Sequence, residues 1–136
     1  MRKEEFDPEV YEFYKAALEA DQQAKYLAVH DGARPLVTAE VVENACKGAF
    51  LHTCAAAGVK VHDTIKKVDS SDHVEQTMDR ECLRAMQTPQ VADKNLLLAA
   101  LKSALDQGIT VTDECASLEL LGARPVITEG SFENIK

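Results

Sequence analysis

Tyr26-Leu27-Ala28-Val29-His30-Asp31-Gly32-Ala33-Arg34-Pro35 starts as an apolar run of strand formers and turns polar within two residues. An apolar run halted at Asp-Gly predicts a strand end followed by a tight turn. In open α/β sheets, ligands collect beyond the carboxyl ends of such strands. That edge would present the Asp31 carboxylate, a small Gly32 that lets another group come close, and Arg34 held beside Pro35. Read alone, the same residues also describe a plain Asp-Gly turn followed by a solvated arginine.

Working outward, Asp7-Pro8-Glu9 predicts a helix start, with Asp7 as N-cap, Pro8 in the first turn and Glu9 at the positive helix end. Val10, Phe13, Tyr14, Ala17 and Leu18 recur at helical spacing and read as one core-facing stripe. Behind the central stretch, a second helix is expected after Thr38, with Glu40 in its first turn. Its stripe is Val42, Ala45, Cys46, Ala49, Phe50 and Thr53. Ala55 to Val61 then reads as a short strand of small residues interrupted by Gly58. Strand, helix and strand at this distance predict a right-handed βαβ crossover, and hence a parallel pair.

The texture then changes. Thr64 to Val68 and His73 to Met78 flank Asp69-Ser70-Ser71-Asp72 as a polar hairpin. Two strands alone do not hold together in water, so this hairpin needs a surface to pack on. Gln87-Thr88-Pro89-Gln90 reads as a loop, because Pro89 biases Thr88 toward extended geometry. Asp93 is the expected N-cap of the strongest helix, with Leu97, Ala100, Leu101, Ala104 and Leu105 on one face, Leu96 and Leu98 widening it, and Gly108 as the stop. A shorter helix is expected from about Thr112, with Asp113 and Glu114 in its first turn, ending at Gly122. Pro125 to Thr128 is the last predicted strand.

The totals bound the function. At 136 residues the chain suits one core, and 46% hydrophobic with 28% charged residues suits a globular protein. A net charge of −8 argues against a nucleic-acid groove, which needs a basic face. Basic residues are therefore expected to act singly, on individual phosphates. No apolar run approaches membrane-spanning length and Met1-Arg2-Lys3-Glu4-Glu5 opens no signal-peptide core, so the expectation is no membrane partner and a cytoplasmic location. Cys46, Cys54, Cys82 and Cys115 form no C-x-x-C pair and read as reduced thiols. His52, Cys54, His62 and His73 lack the ligand pairs of a closed zinc site, and no metal-ligating residues are assigned.

The order and spacing of further segments carry more. His30-Asp31-Gly32-Ala33-Arg34-Pro35 is followed by His62-Asp63-Thr64-Ile65-Lys66-Lys67-Val68, Asp79-Arg80, Gln87-Thr88-Pro89-Gln90, Thr112-Asp113-Glu114 and Asn134-Ile135-Lys136. From about Tyr26 to Lys136 this set resembles the 2-C-methyl-D-erythritol 4-phosphate cytidylyltransferase family of isoprenoid precursor biosynthesis. The resemblance implies an α/β, Rossmann-like fold with a mixed, mainly parallel sheet, flanking helices and a protruding β-arm at about 62–80. Residues 1–136 would form a single, truncated nucleotidyltransferase-like domain. It also implies transfer of CMP from CTP to methylerythritol phosphate with release of pyrophosphate. The related ribitol 5-phosphate cytidylyltransferase is the alternative among enzymes, and a catalytically silent dimerisation or binding module is the alternative from another class.

By this resemblance Asp31 and Arg34 are the catalytic pair, and both touch the sugar phosphate. Thr64, Arg80, Thr88 and Thr112 join them in substrate binding. Thr64 and Arg80 would reach from the arm into a neighbouring subunit's site, which makes the protein a homodimer. Gly32, Ala33 and Lys136 would border the nucleotide, and Asp31 would face a magnesium ion carried mainly by the nucleotide phosphates. Bland readings stand beside each role: an Asx turn for Asp31, an exposed ion pair for Arg80, caps or loop hydroxyls for the threonines. The family also opens with a glycine-rich triphosphate loop and a basic residue, and continues past Asn-Ile-Lys. Glycine occurs here only at 32, 48, 58, 108, 122 and 130, so the expectation is a truncated chain that does not turn over CTP by itself.

Overall fold

The computed structural model describes residues 8–136, so the expected Asp7 cap lies outside the described residues. Helix α1 (Pro8–Glu19) leads to strand β1 (Tyr26–Val29), helix α2 (Ala39–His52) and strand β2 (Cys54–Lys60). Two short strands, β3 (Lys66–Val68) and β4 (Val74–Thr77), precede a 3-10 turn at Arg80–Cys82 and the ten-residue β5 (Arg84–Asp93). Helices α3 (Lys94–Asp106) and α4 (Glu114–Leu120) and strand β6 (Val126–Glu129) complete the chain.

The main sheet has the order β1-β5-β2-β6. β5 runs antiparallel to both β1 and β2, and β2 runs parallel to β6. Three of the four strands thus share one direction, and β5 opposes them. β1 and β2 do run the same way around α2, but they are not neighbours as the crossover reading expected. β5 lies between them, and the parallel ladder is β2 with β6. Nothing local announces this, because the inserted strand arrives more than twenty residues after β2.

β5 also corrects the loop expected at Gln87-Thr88-Pro89-Gln90. Those residues lie inside the strand. Register runs Ala56↔Gln90 and then Gly58↔Met86, so Gln87, Thr88 and Pro89 stand against the single Ala57. Proline donates no hydrogen bond and is tolerated where a ladder is irregular. A bulge of this kind re-aims side chains out of the regular alternation. Here it is the device that turns Thr88 toward a cavity.

Helices cover both faces of the sheet. On one face Val10 and Ala17 of α1, Leu97, Ala100, Leu101, Ala104 and Leu105 of α3, and Leu118 of α4 pack with Cys54 and Ala92. On the other, Ala45 and Ala49 of α2 meet Ala55 and Val91. Adjacent β2 residues are thus buried on opposite faces, as in a strand covered from both sides. Expected stripes shift in phase: Val41 and Gly48 are buried in α2, while Phe50 is exposed and meets Tyr26 edge-on. Gly48 is needed for contact, since a Cβ there would come within 2.7 Å of Thr128 and 2.9 Å of Ala55. In α1, Phe13 and Leu18 are exposed, and only Val10 and Ala17 are buried.

Caps explain most helix ends. Thr38 accepts from the Val41 amide, Asp93 from Leu96, and Asp113 from Ala116. Asp113 is therefore the cap before α4 and not part of its first turn. Gly108 and Gly122 follow α3 and α4 with φ of 63° and 80°, the left-handed geometry that favours glycine. The Lys94 ammonium donates to the carbonyls of Ala20 and Asp21, tying α3 to the segment behind α1. Among the described residues, no helix is long and apolar enough to cross a membrane.

The hairpin forms as expected, with tighter bounds. β3 and β4 pair as Lys66↔Thr77, Lys67↔Gln76 and Val68↔Val74 in a sheet of their own. Every residue of both strands is exposed.

Candidate functional site

β1 delivers the chain to the turn that the sequence singled out. Asp31 Oδ1 accepts the Ala33 amide at 3.0 Å, and the Asp31 carbonyl accepts the Arg34 amide at 2.9 Å. The Asp-Gly turn is therefore real, in the Asx form that aspartate favours. One carboxylate oxygen builds the turn, and the other is left for a partner. Oδ2 takes the Lys136 ammonium at 2.7 Å, across more than a hundred residues of sequence. The Lys136 hydrogen bond, and after it the Ala33 amide, hold the Asp31 carboxyl below its ordinary value near 3.8.

Thr88 joins the turn from the β5 bulge. Its hydroxyl oxygen accepts the Asp31 amide at 3.0 Å and lies 3.0 Å from His30 Nδ1. The other imidazole nitrogen, Nε2, is 2.9 Å from the Arg34 carbonyl. Arg34 in turn donates through Nη1 to the Asn134 carbonyl at 2.7 Å. Asn134 is buried and donates its amide to Thr88 O at 2.8 Å and to Gln87 Oε1 at 3.3 Å. The Gln87 amide closes the loop on Ser131 O at 2.8 Å. Arg34 Nε and Asn134 Oδ1 are buried without a partner among the described residues.

Part of this network borders a cavity of about 600 Å³. Asp31, Gly32, Arg34, Thr88, Thr112 and Lys136 all line it, with His30 and Gln87. Its far wall holds Glu9, Asp113 and Glu114. Gln90 fixes that wall, accepting the Cys115 amide at 3.0 Å and donating to Asp113 Oδ2 at 3.0 Å. Burial pushes the Glu114 carboxyl up, and the nearby Asp113 and Glu9 charges push the same way. One cavity thus holds a carboxylate stabilised in its charged form and another driven toward neutrality.

Not every expected residue comes to this cavity. Ala33 lies on the turn beside it, and Gly32 has open space around its Cα. Thr64 and Arg80 line no wall of it; both are exposed at the base of the hairpin, and Arg80 donates to the His62 carbonyl. A second depression of about 630 Å³, lined by Lys60, His62, Arg84, Glu129 and Phe132 among others, collects none of the expected residues. Sequence reasoning assigned no role to His30, Gln87, Gln90 or Asn134. The available signal was a pair of glutamines flanking a proline in an otherwise apolar stretch, where a buried amide must find partners.

The family model described as IspD, 2-C-methyl-D-erythritol 4-phosphate cytidylyltransferase, matches residues 11–136. A 2-C-methyl-D-erythritol 4-phosphate cytidylyltransferase of Caldanaerobacter subterraneus subsp. tengcongensis is 42% identical over 126 residues, which is 93% of this chain and 56% of that protein. The chloroplastic enzyme of that name from Oryza sativa subsp. japonica is 42% identical over 90% of this chain and 41% of its own length. Among solved structures, the 4-diphosphocytidyl-2C-methyl-D-erythritol synthase of Anaerococcus prevotii superposes with a TM-score of 0.89 at 25% identity, covering 96% of this chain and 60% of that one. The Francisella tularensis cytidylyltransferase gives 0.82 at 27% identity, over 93% and 61%. The chain spans about half the length of the curated relatives it matches.

Proposed function

The chain belongs to the 2-C-methyl-D-erythritol 4-phosphate cytidylyltransferase family, and from that membership we propose that its cavity is the sugar-phosphate side of a cytidylyltransferase site. The observation that carries the reading is convergence. Asp31, Arg34, Thr88 and Lys136 come from three separated segments and meet at one opening. In the proposed reaction an oxygen of methylerythritol phosphate attacks the α-phosphorus of CTP. A phosphorus–oxygen bond forms there, the bond to the β-phosphate breaks, and pyrophosphate leaves. Such transfers depend on alignment and charge neutralisation more than on covalent help from the protein.

Arg34 suits the sugar phosphate. Its Nη1 is spent on the Asn134 carbonyl, which fixes the guanidinium plane, and its buried Nε lacks a partner among the described residues. Lysine has no comparable fork. Thr88 and Thr112 add hydroxyls to the same cavity, and Gly32 and Ala33 offer backbone where the nucleotide would pass. Lys136 is proposed to exchange its Asp31 partner for a nucleotide phosphate. Asp31 would then turn to a divalent cation brought by the triphosphate. Magnesium keeps most of its waters and takes one or two carboxylates, so a single hard oxygen donor fits it. The cation would neutralise phosphate charge; Arg34 would orient the attacking phosphate oxygen, and Asp31, a charged carboxylate that only accepts hydrogen bonds, would assist the cation or orient a sugar hydroxyl.

Thr64 and Arg80 are proposed to act across a homodimer, each arm reaching the neighbour's cavity. A single, truncated nucleotidyltransferase-like domain over residues 1–136, acting in the cytoplasm, is part of the same proposal. No glycine pair among these residues stands at phosphate-loop spacing beside a basic residue. We therefore expect a polypeptide of these residues to bind sugar phosphate without turning over CTP at a useful rate, since oriented donors for the leaving group carry much of such catalysis. Calorimetry with methylerythritol phosphate tests the cavity. Arg34→Ala should weaken binding by about 1.5–3 kcal/mol, the range for a hydrogen bond to a charged group, and Arg34→Lys should recover only part of it. Equal affinity in all three proteins would refute the assignment.

A further inference from the structure

We propose that His30 is a positioning residue that sets the direction of the Thr88 hydroxyl: neutral, it holds that hydrogen; protonated, it releases it toward an anion in the cavity. The inference rests on reading the cavity as a phosphate site, and it concerns a residue to which that reading gives no task.

Hydrogen-bond polarity fixes the arrangement. His30 Nε2 lies 2.9 Å from the Arg34 carbonyl, and a carbonyl only accepts, so Nε2 carries hydrogen. In a neutral imidazole the other nitrogen is then a bare acceptor. Thr88 Oγ1 stands 3.0 Å from it and must donate. The same oxygen already accepts the Asp31 amide at 3.0 Å. Thr88 then has one lone pair left for the cavity it lines, which is the wrong polarity for a phosphate oxygen.

Protonation of His30 reverses this without moving a heavy atom. Nδ1–H now donates to Thr88 Oγ1, and the Asp31 amide fills the second lone pair. The hydroxyl hydrogen is left free, and the open side is the cavity. An anion bound there gains a donor, and by linkage it favours the protonated imidazole. The charged groups that line the same cavity as the ring are mixed: Asp31 and Arg34 from its own turn, Lys136 from the terminal segment, and, on the far wall, Glu9 from α1 and Asp113 and Glu114 at the start of α4. A new positive charge also attracts anions generally, so the test must separate charge from hydroxyl direction.

Thr88→Val does that, because it keeps the imidazole and the side-chain shape while removing the hydroxyl. The first measurement is a long-range proton–nitrogen spectrum of the 136-residue chain. Neutral His30 should show hydrogen on Nε2, and Thr88→Val should shift the Nδ1 resonance toward that of a free acceptor. The second is a sulfate titration, chosen because sulfate keeps its charge between about pH 5 and 8, where histidine changes its own. In the wild type, binding should tighten about tenfold as the His30 resonances report protonation, the scale of one hydrogen bond to a charged group. Thr88→Val should tighten only about two- to threefold, from charge alone. His30→Asn places a side-chain acceptor near the Nδ1 position but takes up no proton, so it should bind sulfate at the weak level throughout. Hydrogen on Nδ1, or equal pH dependence in wild type and Thr88→Val, overturns the inference. Sulfate that binds at no pH overturns the phosphate reading of the cavity, and the release of the hydroxyl with it, while the tautomer result reports on His30 separately.

Discussion

The arm and the cavity wall use the same kind of bond in opposite settings. In the arm, Asp69 Oδ1 accepts the amides of Ser71 and His73 at 2.8 and 3.0 Å, two and four residues away, at the exposed surface. At the wall, Asn134 donates to Gln87 Oε1 and Thr88 O, 47 and 46 residues away, with 1% of its surface exposed. Each side chain makes two bonds. In the arm water can replace either one, whereas behind the cavity the bond to Gln87 Oε1 is buried and the bond to Thr88 O partly so. The lesson is that the wall is a product of the whole fold, while the arm is a shape set by residues near one another in the chain.

The sharpest break in that comparison is a matched pair of alanine substitutions. Asn134→Ala takes the side-chain donor from the part-buried Thr88 carbonyl and one of two donors from Gln87 Oε1, while the main-chain carbonyl that holds Arg34 stays in place. It should cost about 1–3 kcal/mol, the range for a buried group left unsatisfied. Asp69→Ala removes as many bonds but exposes its amides to solvent, and should stay within about 0.5 kcal/mol, as surface changes do. Urea denaturation of both variants decides it. Equal losses would mean that burial is not what distinguishes the two regions.

The second prediction sharpens the arm's side. Val68 and Val74 are cross-strand partners, 43% and 60% exposed, and an exposed two-stranded hairpin is marginal in isolation. If the arm packs on a second copy, the double variant Val68→Ser, Val74→Ser should weaken self-association about tenfold or more, from two lost side-chain burials. Its unfolding free energy at low concentration should hardly change. Sedimentation equilibrium across a wide concentration range reads both; a wild type that stays monomeric at tens of micromolar would remove the homodimer from the proposal.

What the sequence disclosed follows the same division between local and distant. Thr38, Asp93, Gly108 and Gly122 mark helix ends because each acts within four residues of itself. Asp31 and Arg34 were legible because their turn is local and their strand stops abruptly. β5 was not, since Pro89 reads as a loop marker and only the bulge opposite Ala57 makes it tolerable in a strand. The phase of α2 was missed by one residue, because Gly48 packs by having no side chain, a signal that hydrophobic periodicity does not carry. Asn134 was quoted within a motif, yet its task arises from Gln87 and Thr88, which sequence spacing does not bring near it. The hairpin was visible, and the surface it would pack on was not.

The smallest effect compares two carboxylates within the cavity itself. Asp31 is held below its ordinary value near 3.8, chiefly by the Lys136 hydrogen bond, so folding favours its charged form. Its contribution is complete above that ordinary value and is lost as pH falls through the lower folded value. Glu114 is the reverse. Burial raises it above its ordinary value near 4.5, so folding favours the neutral form, and stability from this group is lost as pH rises from there through the raised value. Asp31→Asn should therefore lower stability relative to wild type at neutral pH and converge with it in strong acid. Glu114→Gln should gain relative to wild type as pH climbs above about 4.5. Added salt should shrink the Asp31 effect, because Lys136 is 65% exposed and its charge is screened. It should leave the Glu114 effect nearly intact, because desolvation is not screened by ions. Denaturation midpoints of the two variants and wild type, across pH and at two salt concentrations, check all four signs. Parallel pH curves for Asp31→Asn and Glu114→Gln would show that the cavity does not treat its carboxylates differently.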